Sequence, residues 1–157
     1  MLVATALCFG ILTASAQERV QPPLLHAMFQ DHAVLQRDKP IRVWGHAKPA
    51  EQVRVALAGK NTRTSANAEG YWEAQLPAFK AGGPYTLTAT AGGVTQSVAD
   101  VLIGDVWLCS GQSNMELQVW RSLDARAEIE GAHAETIRLL TVPQTGSVVP
   151  LETFQTP

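Results

Sequence analysis

The stretch that most constrains this chain is Val101 to Glu116, VLIGDVWLCSGQSNME. An apolar run, Val106-Trp107-Leu108-Cys109, leads into the small residues Ser110 and Gly111 and then presents Gln112, Ser113 and Asn114. A continuously apolar run of this kind is the pattern of a strand buried on both faces of an α/β layer. Such folds bind ligands outside the carboxyl ends of their strands. Ser113 therefore reads as a nucleophile on a strand-to-helix turn. On spacing alone, a serine close after a glycine is more often a turn residue or a helix N-cap than a nucleophile. The G-x-S-x-G elbow of α/β-hydrolases fits imperfectly, because Met115 stands where the second glycine would let the helix pack close.

Three separated blocks carry a resemblance. Gly104 to Glu116, GDVWLCSGQSNME, resembles the nucleophile block of the sialate O-acetylesterase family, carbohydrate esterases of the SGNH (GDSL-like) superfamily. Met28 to Val53, MFQDHAVLQRDKPIRVWGHAKPAEQV, and Ala81 to Thr88, AGGPYTLT, resemble the β-domain that precedes the hydrolase domain there. The similarity runs from Leu24 to Pro157, with the blocks in the same order. It implies a jelly-roll-like β-sandwich over 24–100, followed over 101–157 by the first βαβ unit of an incomplete α/β SGNH-hydrolase domain. It also implies that Ser113 is the nucleophile and that its main-chain N–H helps hold the oxyanion.

The first sixteen residues are uncharged and largely apolar, and Ala14-Ser15-Ala16 before Gln17 has the small-x-small form of a signal-peptidase site. Residues 1–16 therefore read as a signal peptide and 17–23, ending in Pro22-Pro23, as an extended lead-in. The apolar run is too short to span a bilayer, so no membrane attachment is expected after cleavage, and the product would be periplasmic or extracellular. No Lys or Arg follows Met1, which departs from an ordinary signal peptide. Cleavage would remove Cys8 and leave Cys109 alone, so no intrachain disulfide is available. Cys109 reads as a small core residue beneath the site. A formal net charge of -2, with no basic cluster, offers nothing for nucleic acid to bind.

Between Leu24 and Asp100 the pattern is of strands and turns. Strands are expected at Ile41 to Ala47, Val53 to Leu57, Thr62 to Ala66, Tyr71 to Leu76, Tyr85 to Ala91 and Val94 to Ala99. Gly59-Lys60-Asn61, Asn67 to Gly70, Gly82-Gly83-Pro84 and Gly92-Gly93 punctuate them. Such spacing argues an antiparallel sandwich. Trp44, Tyr71 and Trp72 offer flat faces for a sugar, or else are core, as strand aromatics mostly are.

Beyond Ser113, Asn114 to Arg121 suits a helical turn or two. Ser122 can cap a helix over Leu123 to Glu130 ended by Gly131, and Thr136 to Val142 reads as a second parallel strand. A lone βαβ unit leaves both strand faces open, so the chain resembles an N-terminal part of something longer.

A serine needs a base, normally a histidine oriented by a carboxylate. The resembled family draws that pair from a D-x-x-H segment, and no Asp of this sequence is followed by His at the third position. His26, His32 and His46 fall in the β-domain, and His133 in the loop before the second strand. The catalytic His and Asp are thus expected outside this chain. Gln112, Asn114 and Glu116 are candidates to support the site, or are ordinary turn and first-turn residues. Asp105 reads as a residue leading into the strand. No His/Cys/Asp cluster has metal-ligand spacing, and no organic cofactor is suggested. The substrate implied is an O-acetylated sugar, sialic acid first and acetylated xylan or another glycan as the alternative. The rival of another class is a non-catalytic carbohydrate-binding β-domain, with Ser113 a capping serine.

Overall fold

The computed structural model describes residues 22–151, so the expected signal peptide and most of the lead-in lie outside the described residues. Seven strands form two sheets: β1 (Val34–Gln36), β2 (Pro40–His46), β3 (Gln52–Leu57), β4 (Lys60–Ser65), β5 (Tyr71–Ala78), β6 (Gly82–Ala91) and β7 (Val94–Gly104). One sheet has the order β1-β7-β6-β3-β4, and the other is the pair β2-β5. All pairings are antiparallel except β1 with β7, which run parallel with Val34 opposite Leu102 and Gln36 opposite Gly104. A jelly roll has about eight strands in two Greek keys. Among the described residues there are seven, divided five and two.

Alternation places the core. On β2, Ile41, Val43 and Gly45 are buried while Arg42, Trp44 and His46 face outward, as strand pleating requires. Val53, Val55 and Leu57 do the same on β3, and Trp72, Ala74 and Leu76 on β5. These side chains meet Leu87, Ala89, Val98, Val101 and Ile103 in one apolar cluster shared by both sheets. The β3–β4 hairpin turns at Ala58-Gly59, with φ of 47° and 74°, and pairs Leu57 with Lys60. Lys60 is thus the first strand residue rather than a turn residue. Gly92-Gly93, with φ of 54° and 80°, closes β6 on β7 as a two-residue loop.

β7 runs four residues past the expected domain boundary at 100/101, carrying Val101 to Gly104 into the sheet. Beyond Gly104 the character changes. Among the described residues, every buried hydrophobic side chain lies between Leu25 and Ile103, whereas all the exposed large ones except Met28, Tyr71 and Val94 lie beyond Gly104.

The βαβ unit expected over 101–157 is not formed among the described residues. Val106 to Cys109 is not a strand, nor is Thr136 to Val142. A parallel strand needs hydrogen-bonding neighbours and cover on both faces, and residues 105–151 supply neither: Trp107 is 84% and Leu108 93% exposed. Cys109, expected in a core, is exposed for the same reason. The segment forms two short 3-10 turns, Ser113–Glu116 and Val119–Arg121, and one helix, α1 (Ala125–Gly131). The helix starts later than expected, with Asp124 at its N-cap. Ser122, the expected cap, donates its hydroxyl to the Val119 carbonyl instead.

Candidate active site

Ser113 opens the first 3-10 turn, with extended Gln112 (φ -98°, ψ -165°) before it and exposed surroundings throughout. The turn is closed by the Met115 N–H on the Gln112 carbonyl at 2.9 Å. Gly111 permits this corner: a Cβ there would stand 2.8 Å from Met115 Cγ. As first residue of the turn, Ser113 keeps a main-chain N–H that the turn itself does not use. A single 3-10 turn carries little of the dipole expected of an α-helix N-terminus, so that N–H stands as a donor by itself.

Gln112 makes no side-chain cap bond to the turn. Glu116 accepts a hydrogen bond from the Gln144 amide, which folds the later chain back onto the turn. Among the described residues, no histidine or carboxylate is hydrogen-bonded to the Ser113 hydroxyl, and the turn contains no buried residue. Three of the four histidines are engaged elsewhere. His32 Nδ1 lies 2.5 Å from Asp100 Oδ2, His26 packs on Trp44, and His46 packs edge-on against Tyr71.

What the β-domain contributes is fixation of the chain on either side of Ser113. Upstream, the Val106 N–H donates to Gln36 Oε1 at 2.9 Å, and the Arg37 N–H donates to the Gly104 carbonyl at 2.9 Å. Arg37 Nε donates to Asp105 Oδ1, also at 2.9 Å, and holds the Asp105 carboxyl below its ordinary range. Downstream, Arg138 Nη2 donates to Asp100 Oδ2 at 2.9 Å while Nη1 reaches the Glu135 carbonyl. The His32 hydrogen bond first, and the Arg138 charge after it, keep Asp100 below the usual carboxylate range. Asp105 thus tethers the exit from β7, where it was expected to lead into a strand. None of Gln36, Arg37, Asp100 and Arg138 was distinguishable as a site residue from local sequence, because the partners of Arg37 and Asp105 stand 68 residues apart.

Of the three aromatic residues considered for sugar binding, Trp72 faces the core, whereas Trp44 and Tyr71 lie on the outer face. Trp72 is 1% exposed and part of the core, with its Nε1 buried and without a partner. Trp44 is half-buried on the outer face, edge-on to Phe29 at 4.8 Å. Tyr71 lies on that outer face too, donating its hydroxyl to Glu73. The hollow beside them, lined by Pro22, Pro23, His26, Ala27 and His46, has a volume of about 110 Å³. Small-molecule sites run to roughly 300–1,000 Å³.

No protein-family model matches the chain. It is 37% identical over 121 residues to the sialate O-acetylesterase of Pongo abelii and 38% identical over 111 residues to that of Homo sapiens. These alignments take in 70% and 64% of this chain. The chain belongs to the sialate O-acetylesterase family. It spans less than a quarter of those relatives, 23% and 21% of their lengths. A crystal structure of a carbohydrate acetylesterase from Xanthomonas citri matches with a TM-score of 0.81 and 40% identity, over 85% of this chain and 31% of that one. The mostly-strand architecture is therefore shared with a solved carbohydrate acetylesterase.

Proposed function

We propose that this chain carries the nucleophile of an exported serine esterase that removes O-acetyl groups from sialic acid. The observation that carries the reading is the combined likeness to relatives named sialate O-acetylesterase and to a solved carbohydrate acetylesterase. Ser113 Oγ attacks the acetyl carbonyl carbon as a base takes its proton. The tetrahedral intermediate expels the sugar hydroxyl and leaves an acetyl-enzyme, and water then releases acetate and restores the serine. The Ser113 N–H is one donor to the oxyanion. Gln112, Asn114 and Glu116 support the turn. The base and its carboxylate come from a D-x-x-H segment outside residues 1–157.

The exposed apolar residues of 106–151 support the same reading. Trp107, Leu108, Leu139 and their neighbours gain cover only when further parallel strands and helices of an SGNH-type α/β domain pack on them. The uncharged segment ending Ala14-Ser15-Ala16 supports export to the periplasm or beyond.

The second reading differs in the sugar. The solved relative's name specifies a carbohydrate acetylesterase without naming which carbohydrate, and a nucleophile block reports the reaction rather than the sugar. Acetate release by the complete protein from O-acetylated sialic acid, compared with acetylated xylan, separates the two. Faster release from sialic acid is the expected result, and release from xylan alone would replace it with the second reading.

A further inference from the structure

The parallel strand β1 ends where β7 ends, and its last residue and the next reach forward along the departing chain. Gln36 uses both ends of its amide: Nε2 donates to the Arg37 carbonyl at 3.2 Å, and Oε1 accepts from the Val106 N–H. Arg37 uses its backbone and its guanidinium. Its N–H holds the Gly104 carbonyl, Nε holds Asp105, and Nη1 donates to Asp38 Oδ2 at 3.1 Å. Asp38 is fixed in turn, its N–H on the Phe79 carbonyl at 2.8 Å and its Oδ1 receiving Lys80 Nζ at 2.6 Å. Three consecutive residues leaving the sheet, Gly104, Asp105 and Val106, are therefore each held by one polar contact from β1 or the residue after it.

An exposed ion pair contributes little stability by itself, so stability does not account for this density of contacts. Direction does. Seven residues after Val106 stands Ser113, and the intervening 107–112 carries no regular hydrogen-bonded structure that would set its course. Resting on the reading of Ser113 as nucleophile, we propose that Gln36 and Arg37 are positioning residues: by clamping Asp105 and the Val106 N–H they aim the Ser113 turn from the β-domain.

The test uses the complete protein and 4-nitrophenyl acetate as probe. Displacing a reacting group by about 1 Å costs on the order of 100-fold. Arg37→Ala and Gln36→Ala are each expected to lower kcat about ten-fold, with KM and the thermal midpoint unchanged. Arg37→Asp combined with Asp105→Arg restores most of that loss. In Gln36→Ala, hydrogen exchange at the Val106 amide accelerates. Unchanged kcat in an enzyme that Ser113→Ala inactivates overturns the proposal, and so does a loss of kcat that follows a matching loss of thermal midpoint. If Ser113→Ala leaves turnover intact, the nucleophile reading fails by itself. Exchange at Val106 then decides the clamp, and an unchanged rate overturns it.

Discussion

Gly45 of β2 lies directly beneath the Leu24 carbonyl: a Cβ on Gly45 would stand 1.8 Å from the Leu24 oxygen and 2.7 Å from its carbonyl carbon. The contact exists because residues 23–26 run along β2 as an extra edge segment, with the His26 N–H on the Trp44 carbonyl and the His46 N–H on the Pro23 carbonyl. That segment carries Leu25, fully buried, into the core. Only a glycine lets the two backbones approach so closely.

Gly45→Ala must therefore push the 23–26 segment off the sheet and draw Leu25 with it. Overpacking costs about 1–3 kcal/mol or more. Urea denaturation of the variant is expected to show a loss in that range or above, and an unchanged midpoint would refute the close approach.

Trp72 anchors the middle of the core from β5. Trp72→Ala is expected to destabilise the β-domain by about 3–5 kcal/mol through the cavity it leaves. Trp44→Ala, removing a half-buried ring on the outer face, should cost clearly less. Equal losses in chemical denaturation would contradict the assignment of the two rings to opposite faces.

Glu73 accepts both Nε and Nη2 of Arg42, at 2.9 and 2.5 Å, and those hydrogen bonds hold its carboxyl below the ordinary value. Asp38 is lowered by Lys80 in the same direction. Carboxyls lowered in the folded state bind fewer protons than in the unfolded chain. Their contribution is complete above the unfolded value and is lost as pH falls through the folded one. Stability is expected to hold down to about pH 5 and to decline below about pH 4, with Glu73→Gln showing a shallower decline. An identical acid profile for Glu73→Gln would remove this pair from the account.

Asp100, with φ of 51°, stands in the left-handed region and receives both His32 and Arg138. Asp100→Asn keeps a residue that tolerates this backbone and removes the charge that holds Arg138. Chymotryptic cleavage at the exposed Leu139 and Leu140 should then accelerate several-fold while the thermal midpoint stays put, because local opening is easier. Unchanged cleavage would mean that Arg138 does not tether the segment.

Of the six longer strands, five were legible because apolar and polar residues alternate along them, and the wholly polar β4 was legible only from the Gly and Asn turns around it. β1 was not: three residues, Val34–Gln36, carry no periodicity, and their partner Leu102 lies far along the chain. β7 carries Val101 to Gly104 past the expected division at 100/101. Gly104-Asp105 separates the apolar residues Val101 to Ile103 from Val106 to Cys109, and the chain is buried before it and exposed after. The βαβ pattern of 106–142 states a local preference, but a parallel strand forms only against neighbours. Ser113 was singled out by the block around it, whereas Gln36 and Arg37 emerge only when β1 lies beside β7.

The most direct test of the central claim is acetate release by the complete protein from an O-acetylated sugar, before and after Ser113→Ala. Loss of the nucleophile is expected to reduce kcat by at least about a thousand-fold while the fold is retained. Turnover that survives Ser113→Ala in a folded protein would contradict the account and return Ser113 to the role of a turn residue.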